Sequence, residues 1–226
     1  MEHIQYAKNV LDSHRLDDLK SLIKNHWREI PDYNFCRNTE DSENYMEEII
    51  RELIGKEHHV EWWVRDTLEE TLWHVDANEL EEKIYHMKYG LIDPKIPKEF
   101  PLNTHVFYVE IDPKMEGGEL LILPHNTYVE GRPIVDDSYK PIERQNLITI
   151  KPIENHMVIW DKPIYHATNR VKNPDIIKHR ISFMFSSWDF IPKVYKDHKH
   201  WNSPLPFTWD WNDKYNVKAK EFKLTI

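Results

Sequence analysis

The sequence predicts a mostly β fold, a jelly roll or related double-sheet β-barrel, with N-terminal helices packed on its outside. Residues 1–56 carry apolar side chains at helical spacing. From residue 57 onward, short β-branched or aromatic runs alternate with turn-like stretches. No strands alternate with helices, which argues against a parallel doubly wound sheet. We therefore expect one domain, with a helical segment at 1–56 and a barrel core with an aromatic-rich C-terminal tail at 57–226.

Two helices are predicted in the N-terminal segment. The first spans residues 1 to about 30, and its apolar residues recur at intervals of three and four: Leu16, Leu19, Leu22, Ile23 and Trp27. Pro31 closes it. The second spans 41–53, where an apolar stripe precedes Gly55, a residue typical of helix ends.

At least seven strands are predicted in the core. Each is a short run of β-branched and aromatic side chains: 59–64, 72–75, 104–111, 119–123, 146–150, 156–160 and 180–186. Two longer irregular segments, 93–103 and 124–145, interrupt them and could be active-site lids or surface insertions. After residue 187, four tryptophans suggest a C-terminal wrap over the barrel.

Composition narrows the function classes. With 30 Lys and Arg against 39 Asp and Glu, the formal charge is −9, which argues against a broad phosphate-binding surface and against nucleic acid as a partner. The single cysteine, Cys36, excludes an internal disulfide and a thiolate metal cage. Neither a signal-like apolar region nor a run of about 18 apolar residues is found. These features predict a cytoplasmic protein with no membrane partner.

A metal site is predicted at His74-Val75-Asp76 with His166. Alternation in a strand sends residues 74 and 76 to one face, so both can contact one ion. His59-Val60-Glu61 has the same form, and geometry alone does not decide between the two. The first pair is favoured because it closes a strand-like run and precedes His166 in the order that a distal ligand requires. Two imidazoles and one carboxylate leave open positions on a metal, as in non-haem Fe(II) oxygenases.

An anion site is predicted at Arg180 and Ser182, which share one face of the last strand while apolar residues take the other. A buried arginine needs an anionic partner, because an unpaired buried charge is costly. A planar guanidinium beside a hydroxyl suits a carboxylate of a small molecule. A structural Asp or Glu could equally be the partner.

Taken in order, these motifs resemble the Fe(II)/2-oxoglutarate-dependent oxygenase superfamily, nearest to its prolyl 4-hydroxylase-like branch. The matching features are His-x-Asp, the strand with Tyr108, the Gly117-Gly118-Glu119 turn, the distal His166 and Arg180-x-Ser182. The likeness covers residues 71–188. Arg180 stands where that branch usually has lysine, and the strand around Tyr108 matches in part, so the prolyl substrate stays open.

The resemblance implies a double-stranded β-helix with His74, Asp76 and His166 as iron ligands. It implies that Arg180 and Ser182 bind the far carboxylate of 2-oxoglutarate, with Tyr108 as a hydroxyl partner. The cofactors would be Fe(II), 2-oxoglutarate as co-substrate, O2, and ascorbate as an accessory reductant. The expected reaction is hydroxylation, or a derived desaturation or demethylation, of a small-molecule or peptidyl substrate, with release of succinate and CO2.

Two other function classes stay open at this point. A cupin-like metal enzyme that does not use 2-oxoglutarate would need the metal ligands but not Arg180. A non-catalytic jelly-roll binding module would need neither, and the tryptophans could then bind carbohydrate. A zinc hydrolase fits less well, since it leaves Arg180 and Ser182 without a role. Neither the substrate nor the oligomeric state follows from the sequence.

Overall fold

The computed structural model describes residues 3–27, 30, 34–39, 42, 44–56, 58–74, 76, 100–122, 147–161, 163, 164 and 166–191. The irregular segment 124–145 and most of the aromatic tail lie outside these residues, as does most of 93–103. What the sequence predicts for them stays a prediction.

The described chain contains ten strands and two α-helices. In order they are β1 Ile4–Lys8, α1 Ser13–His26, β2 Asn34–Asn38, α2 Tyr45–Ile54, β3 His58–Asp66, β4 Thr71–His74, β5 Asn103–Ile111, β6 Leu120–Ile122, β7 Ile148–Ile150, β8 His156–Trp160, β9 His166–Thr168 and β10 Arg180–Ser187. A short 3-10 turn, Pro174–Ile176, precedes β10. The mostly β class is confirmed.

The strands form two antiparallel sheets. The larger has the order β1-β8-β5-β10-β3-β2 and the smaller the order β4-β9-β6-β7. From β3 onward the chain passes repeatedly between the sheets, so that β3, β5, β8 and β10 lie in one and β4, β6, β7 and β9 in the other. Buried side chains from both sheets pack together between them: Val106, Tyr108, Leu120, Ile122, Val158 and Trp160. The interior of the fold therefore lies between the two sheets.

The helices cover the face of the larger sheet that points away from the smaller sheet. One apolar cluster joins α1, α2 and the outward side chains of β3, β5 and β10, and includes Leu19, Leu22, Ile23, Ile49, Ile50, Leu53, Val60, Trp62, Val64, Phe107, Phe183 and Phe185. Burying each such side chain contributes roughly 1.5–3 kcal/mol. This layer covers one face of the larger sheet, so the opposite face is the one that can contribute side chains to a site.

The prediction of one helix over residues 1 to about 30 is wrong at its start. Residues Ile4–Lys8 form β1, an edge strand paired with β8. Asn9 has a positive φ of 50°, which no helix accommodates. The helix begins only after Asp12, whose carboxylate accepts a hydrogen bond from the Arg15 N–H as an N-cap.

The second helix is confirmed with shifted ends. Asn44 caps its start by accepting from the Glu47 N–H. Gly55 ends it, with φ +79° and its N–H bonded to the Arg51 carbonyl, as the sequence predicted. All seven predicted strands are present, whereas β2 and β9 were not predicted. Both are short and polar, so neither shows a period-two apolar pattern. Neither described helix is long and apolar enough to cross a bilayer.

His105 gives the fold a pH-dependent stability. Its ring is buried on β5, stacks on Phe185 at 4.5 Å, and places Nδ1 3.2 Å from the Phe185 carbonyl oxygen. Burial lowers its pKa to about 4, so the folded chain takes up this proton less readily than the unfolded chain. Stability should therefore fall as the pH falls from about 6.5 to about 4, by on the order of 3 kcal/mol.

We expect a His105→Gln variant, which cannot titrate, to lose less stability over that pH range. Urea unfolding of the metal-free protein at pH 7 and pH 4.5 measures the two losses. His166 is also buried but is present in both proteins, so the difference between them isolates His105. Equal losses in wild type and variant would refute the assignment.

Candidate metal centre

The three predicted metal ligands meet at one end of the smaller sheet. His74 ends β4 and His166 begins β9, and the two strands are paired so that these residues lie opposite each other. Asp76 follows two residues after the end of β4. The His-x-Asp motif thus lies where a strand ends, at the place that the sequence predicted.

Their donor atoms face a common point. The Asp76 carboxylate lies between the rings, with Oδ1 3.9 Å from His74 Nε2 and Oδ2 3.8 Å from His166 Nε2. One donor atom from each residue lies within 4.8 Å of the others. These separations are too long for hydrogen bonds, yet short enough for one ion to contact all three. Two imidazoles and one carboxylate suit Fe(II), and would also accept zinc.

The tautomer and the protonation state of His166 suit it to bind a metal. Its Nδ1 lies 3.0 Å from the Ile164 carbonyl oxygen, which can only accept, so Nδ1 carries the proton and Nε2 presents its lone pair. Burial, and then the neighbouring His74, lower its pKa to about 4, which keeps the ring neutral at neutral pH. The Trp160 ring packs against it at 4.8 Å. The carbonyl of Ile164 carries no signal in a sequence, and this contact was not predicted.

The metal centre is more exposed to solvent at His74 than at its other two ligands. The His166 and Asp76 side chains are 9% and 14% exposed, whereas His74 is 43% exposed. Asp76 Oδ2 is buried and has no hydrogen-bond partner among the described residues. Because a buried carboxylate oxygen without a partner is costly, a cation at the common point would stabilise the arrangement.

The alternative motif, His59 and Glu61, has no third metal-type ligand within reach among the described residues. In the described part of the chain, His74, Asp76 and His166 form the only group of three or more metal-type ligands within reach of one another. His59 has a positive φ of 61°, so regular strand alternation does not hold there.

Arg180 and Ser182 face the interior between the sheets. The alternate residues of β10, Ile181 and Phe183, belong to the helix-facing cluster, which leaves Arg180 and Ser182 on the other face. Ser182 lies opposite Tyr108 on β5. All three side chains are buried, and the sequence predicted this shared face.

A β-bulge in β5 places Tyr108 opposite Ser182 of β10. The register between β5 and β10 shifts so that Ser182 pairs with Tyr108 while Ile181 pairs with Glu110, and Val109 is left over. Val109 packs in the helix-facing cluster, and Glu110 binds Lys24 of α1 at 2.7 Å. The extra residue therefore lets Tyr108 face inward opposite Ser182 without interrupting the outer core. The sequence gave no indication of it.

The inward cluster contains several buried polar atoms without partners among the described residues: Arg180 Nε, Ser182 Oγ and Tyr108 OH. Arg180 is 4% exposed, and its guanidinium donates through Nη2 to the Gly118 carbonyl at 3.3 Å. No described carboxylate forms an ion pair with it, so the structural Asp or Glu that the sequence left open is not found there. Burial lowers the Arg180 pKa and raises the Tyr108 pKa. At neutral pH both remain protonated donors.

Gly118 lets the chain approach Arg180 closely. Its φ is +71°, and a Cβ at this position would lie 3.3 Å from Arg180 Nε and 3.2 Å from Met115 Cε. A side chain would therefore crowd the guanidinium. The Gly-Gly motif noted in the sequence thus lies against the predicted anion site.

Comparisons with known proteins show which solved structures have a similar fold. No family model matches the sequence, and no curated protein matches it either. Among solved structures, apo HygX from Streptomyces hygroscopicus is similar over 84% of each chain, with 10% identity and a TM-score of 0.52. HygX with nickel and 2-oxoglutarate bound is 12% identical over 84% of each chain, with a TM-score of 0.48.

A prolyl-4-hydroxylase from Pseudomonas putida is 10% identical, over 82% of this chain and 92% of its own, with a TM-score of 0.46. At such identities a structural likeness establishes architecture and nothing finer. The chain shares its fold with HygX.

Proposed function

We propose that this protein is an Fe(II)- and 2-oxoglutarate-dependent dioxygenase that hydroxylates a small-molecule or peptidyl substrate. The main support for the proposal is that two groups of polar side chains, each of which needs a ligand, lie on the two sheets that enclose the same interior. Three metal-type ligands converge on the smaller sheet. On the larger sheet a buried arginine, serine and tyrosine present polar atoms that have no hydrogen-bond partner among the described residues. A metal-chelating dicarboxylate is the kind of molecule that would complete both.

The architecture supports the same proposal. Strands β3 to β10 are divided four and four between the sheets, in the orders β8-β5-β10-β3 and β4-β9-β6-β7, as in a double-stranded β-helix, with β1 and β2 added at the edges of the larger sheet. We infer that fold for this chain. HygX, whose fold the chain shares, holds nickel and 2-oxoglutarate in one of its crystals.

The residues have separate tasks in this proposal. His74, Asp76 and His166 would hold the metal from one side and leave its other positions open. Arg180 would receive the far carboxylate of 2-oxoglutarate, helped by the Ser182 and Tyr108 hydroxyls. When bound together, Fe(II), 2-oxoglutarate and O2 supply a two-electron oxidant, which places one oxygen atom in the substrate and the other in succinate, with release of CO2.

The protein's own contribution is orientation and exclusion of water. The Ile164 carbonyl fixes the His166 tautomer, and the buried apolar side chains between the sheets would limit the entry of water. The exposed edge at His74 is where a substrate would approach. A reducing cytoplasm, which the single cysteine favours, would keep the iron ferrous.

The other function classes leave these observations unexplained. A cupin-like enzyme that does not use 2-oxoglutarate would leave Arg180 Nε, Ser182 Oγ and Tyr108 OH buried, with no ligand to bind and no hydrogen-bond partner among the described residues. A non-catalytic binding module would, in addition, leave the buried Asp76 oxygen without a cation. The net charge of −9 weighs against a nucleic-acid substrate.

An anaerobic titration tests the proposal. Fe(II) is added to the metal-free protein, then 2-oxoglutarate, and the visible metal-to-ligand charge-transfer absorbance is recorded. We expect the band in wild type and in His14→Ala, a control histidine exposed on α1, but not in His166→Ala. Tight iron binding without a band would favour the cupin-like class, and absence of iron binding would favour a binding module.

A further inference from the structure

Asp66 connects the end of β3 to the start of β10. Its Oδ1 accepts a hydrogen bond from the Arg180 backbone N–H at 3.1 Å, and its Oδ2 lies 2.9 Å from His179 Nδ1. The carboxylate is 24% exposed, and Asp66 pairs with Ile181, whose side chain packs in the helix-facing cluster. Because paired residues of antiparallel strands point to the same face, Asp66 lies on the face of the sheet away from the interior. One oxygen therefore contacts the first residue of β10, and the other contacts the residue just before it.

The position of Asp66 explains why a side chain, and not a backbone carbonyl, accepts the hydrogen bond from the Arg180 N–H. In the β3–β10 ladder, Ile181 pairs with Asp66, and Asp66 is the last residue of β3. The partner strand has therefore ended where Arg180 begins, so the Asp66 side chain supplies the acceptor. The ladder is extended by one bond at the residue that carries the buried guanidinium.

Two further contacts hold the same strand end. The guanidinium donates to the Gly118 carbonyl, and the His179 carbonyl accepts from the Asp112 N–H at 3.3 Å. Asp66 thus holds the backbone from which the Arg180 side chain projects, and Gly118 holds the tip of that side chain. An arginine has about 2 kcal/mol of rotamer entropy to lose, so a bond at its tip, made from a backbone that is held in place, reduces what a ligand must order.

We propose that Asp66 is a positioning residue, which holds Arg180 in the orientation that receives the far carboxylate of 2-oxoglutarate. This inference rests on the proposed function. Asp66 itself would touch neither the metal nor the co-substrate. Its effect should therefore appear only with ligands that carry the far carboxylate.

Calorimetry with the full chain loaded with Ni(II) tests this, using 2-oxoglutarate and 2-oxobutyrate. Both acids have the metal-chelating keto acid end, but only the first has a second carboxylate. We expect Asp66→Ala to weaken 2-oxoglutarate binding about tenfold, as loss of one hydrogen bond can do, and to change 2-oxobutyrate binding by less than about twofold. Asp66→Asn keeps an oxygen that can accept from the Arg180 N–H, and should restore most of the selectivity.

His179→Ala separates the two contacts of Asp66. It removes the imidazole and keeps the bond to Arg180, so it should retain the preference for 2-oxoglutarate. The inference is overturned if Asp66→Ala keeps the wild-type preference, if it weakens both acids equally, or if His179→Ala alone reproduces its loss. A wild type that shows no preference for 2-oxoglutarate would overturn the proposed function as well, and is recognised without any variant. Thermal unfolding of each variant confirms that the chains compared are folded.

Discussion

Asp76→Ala is expected to weaken Fe(II) binding by more than about 100-fold, because even partners outside the ligand set contribute roughly 10–100-fold to metal affinity. Asp76 supplies the negative charge of the cluster, and its two oxygens face different imidazoles. Its loss leaves two neutral nitrogen donors to hold a divalent ion. Competition with a chromophoric chelator under anaerobic conditions measures the affinity.

Two other variants sharpen this test. Asp76→Asn keeps an oxygen ligand without the charge, and should bind iron with an affinity between those of wild type and Asp76→Ala. Asp17→Ala removes an exposed carboxylate on α1 and should behave like wild type. If Asp76→Ala kept wild-type affinity, the iron would have to bind elsewhere, and the assignment of Asp76 as a metal ligand would be wrong.

Much of the fold could be predicted because its main elements carry apolar and aromatic residues in recognisable patterns. Helix α2 buries one apolar stripe, and strands β5 and β10 are buried along nearly their whole length, so each stands out in the sequence as a run of β-branched and aromatic residues. Strands β1, β2 and β9 could not be predicted in this way. They exist because neighbouring strands offer them backbone partners, and such pairing across the chain leaves no local pattern.

The same distinction applies to the site. The residue types and their order sufficed to select His74, Asp76, His166 and Arg180, and the structure brings the first three together. The features that orient the side chains of the site belong to the backbone. They are the Ile164 carbonyl, the Gly118 carbonyl and the bulge at Val109. Backbone groups are the same in every residue, so these contacts become visible only in three dimensions.

Arg180→Met should change two properties in opposite directions. We expect 2-oxoglutarate binding to weaken by at least about 100-fold, since the far carboxylate loses its charged, two-pronged donor. We also expect the metal-free protein to be as stable as wild type or more so. The guanidinium is buried without an ion-pair partner among the described residues, and replacing such a group by an apolar one of similar length is often neutral or stabilising.

This pair of measurements decides between a ligand site and a structural ion pair. Breaking a buried ion pair destabilises a protein by about 3–5 kcal/mol, so a large loss in urea unfolding of the metal-free Arg180→Met variant would favour the structural role. Arg180→Lys serves as the matched variant, because it keeps the charge and loses the planar fork. If Arg180 binds a carboxylate, Lys should retain part of the affinity that Met loses, while the unfolding free energies rank in the reverse order.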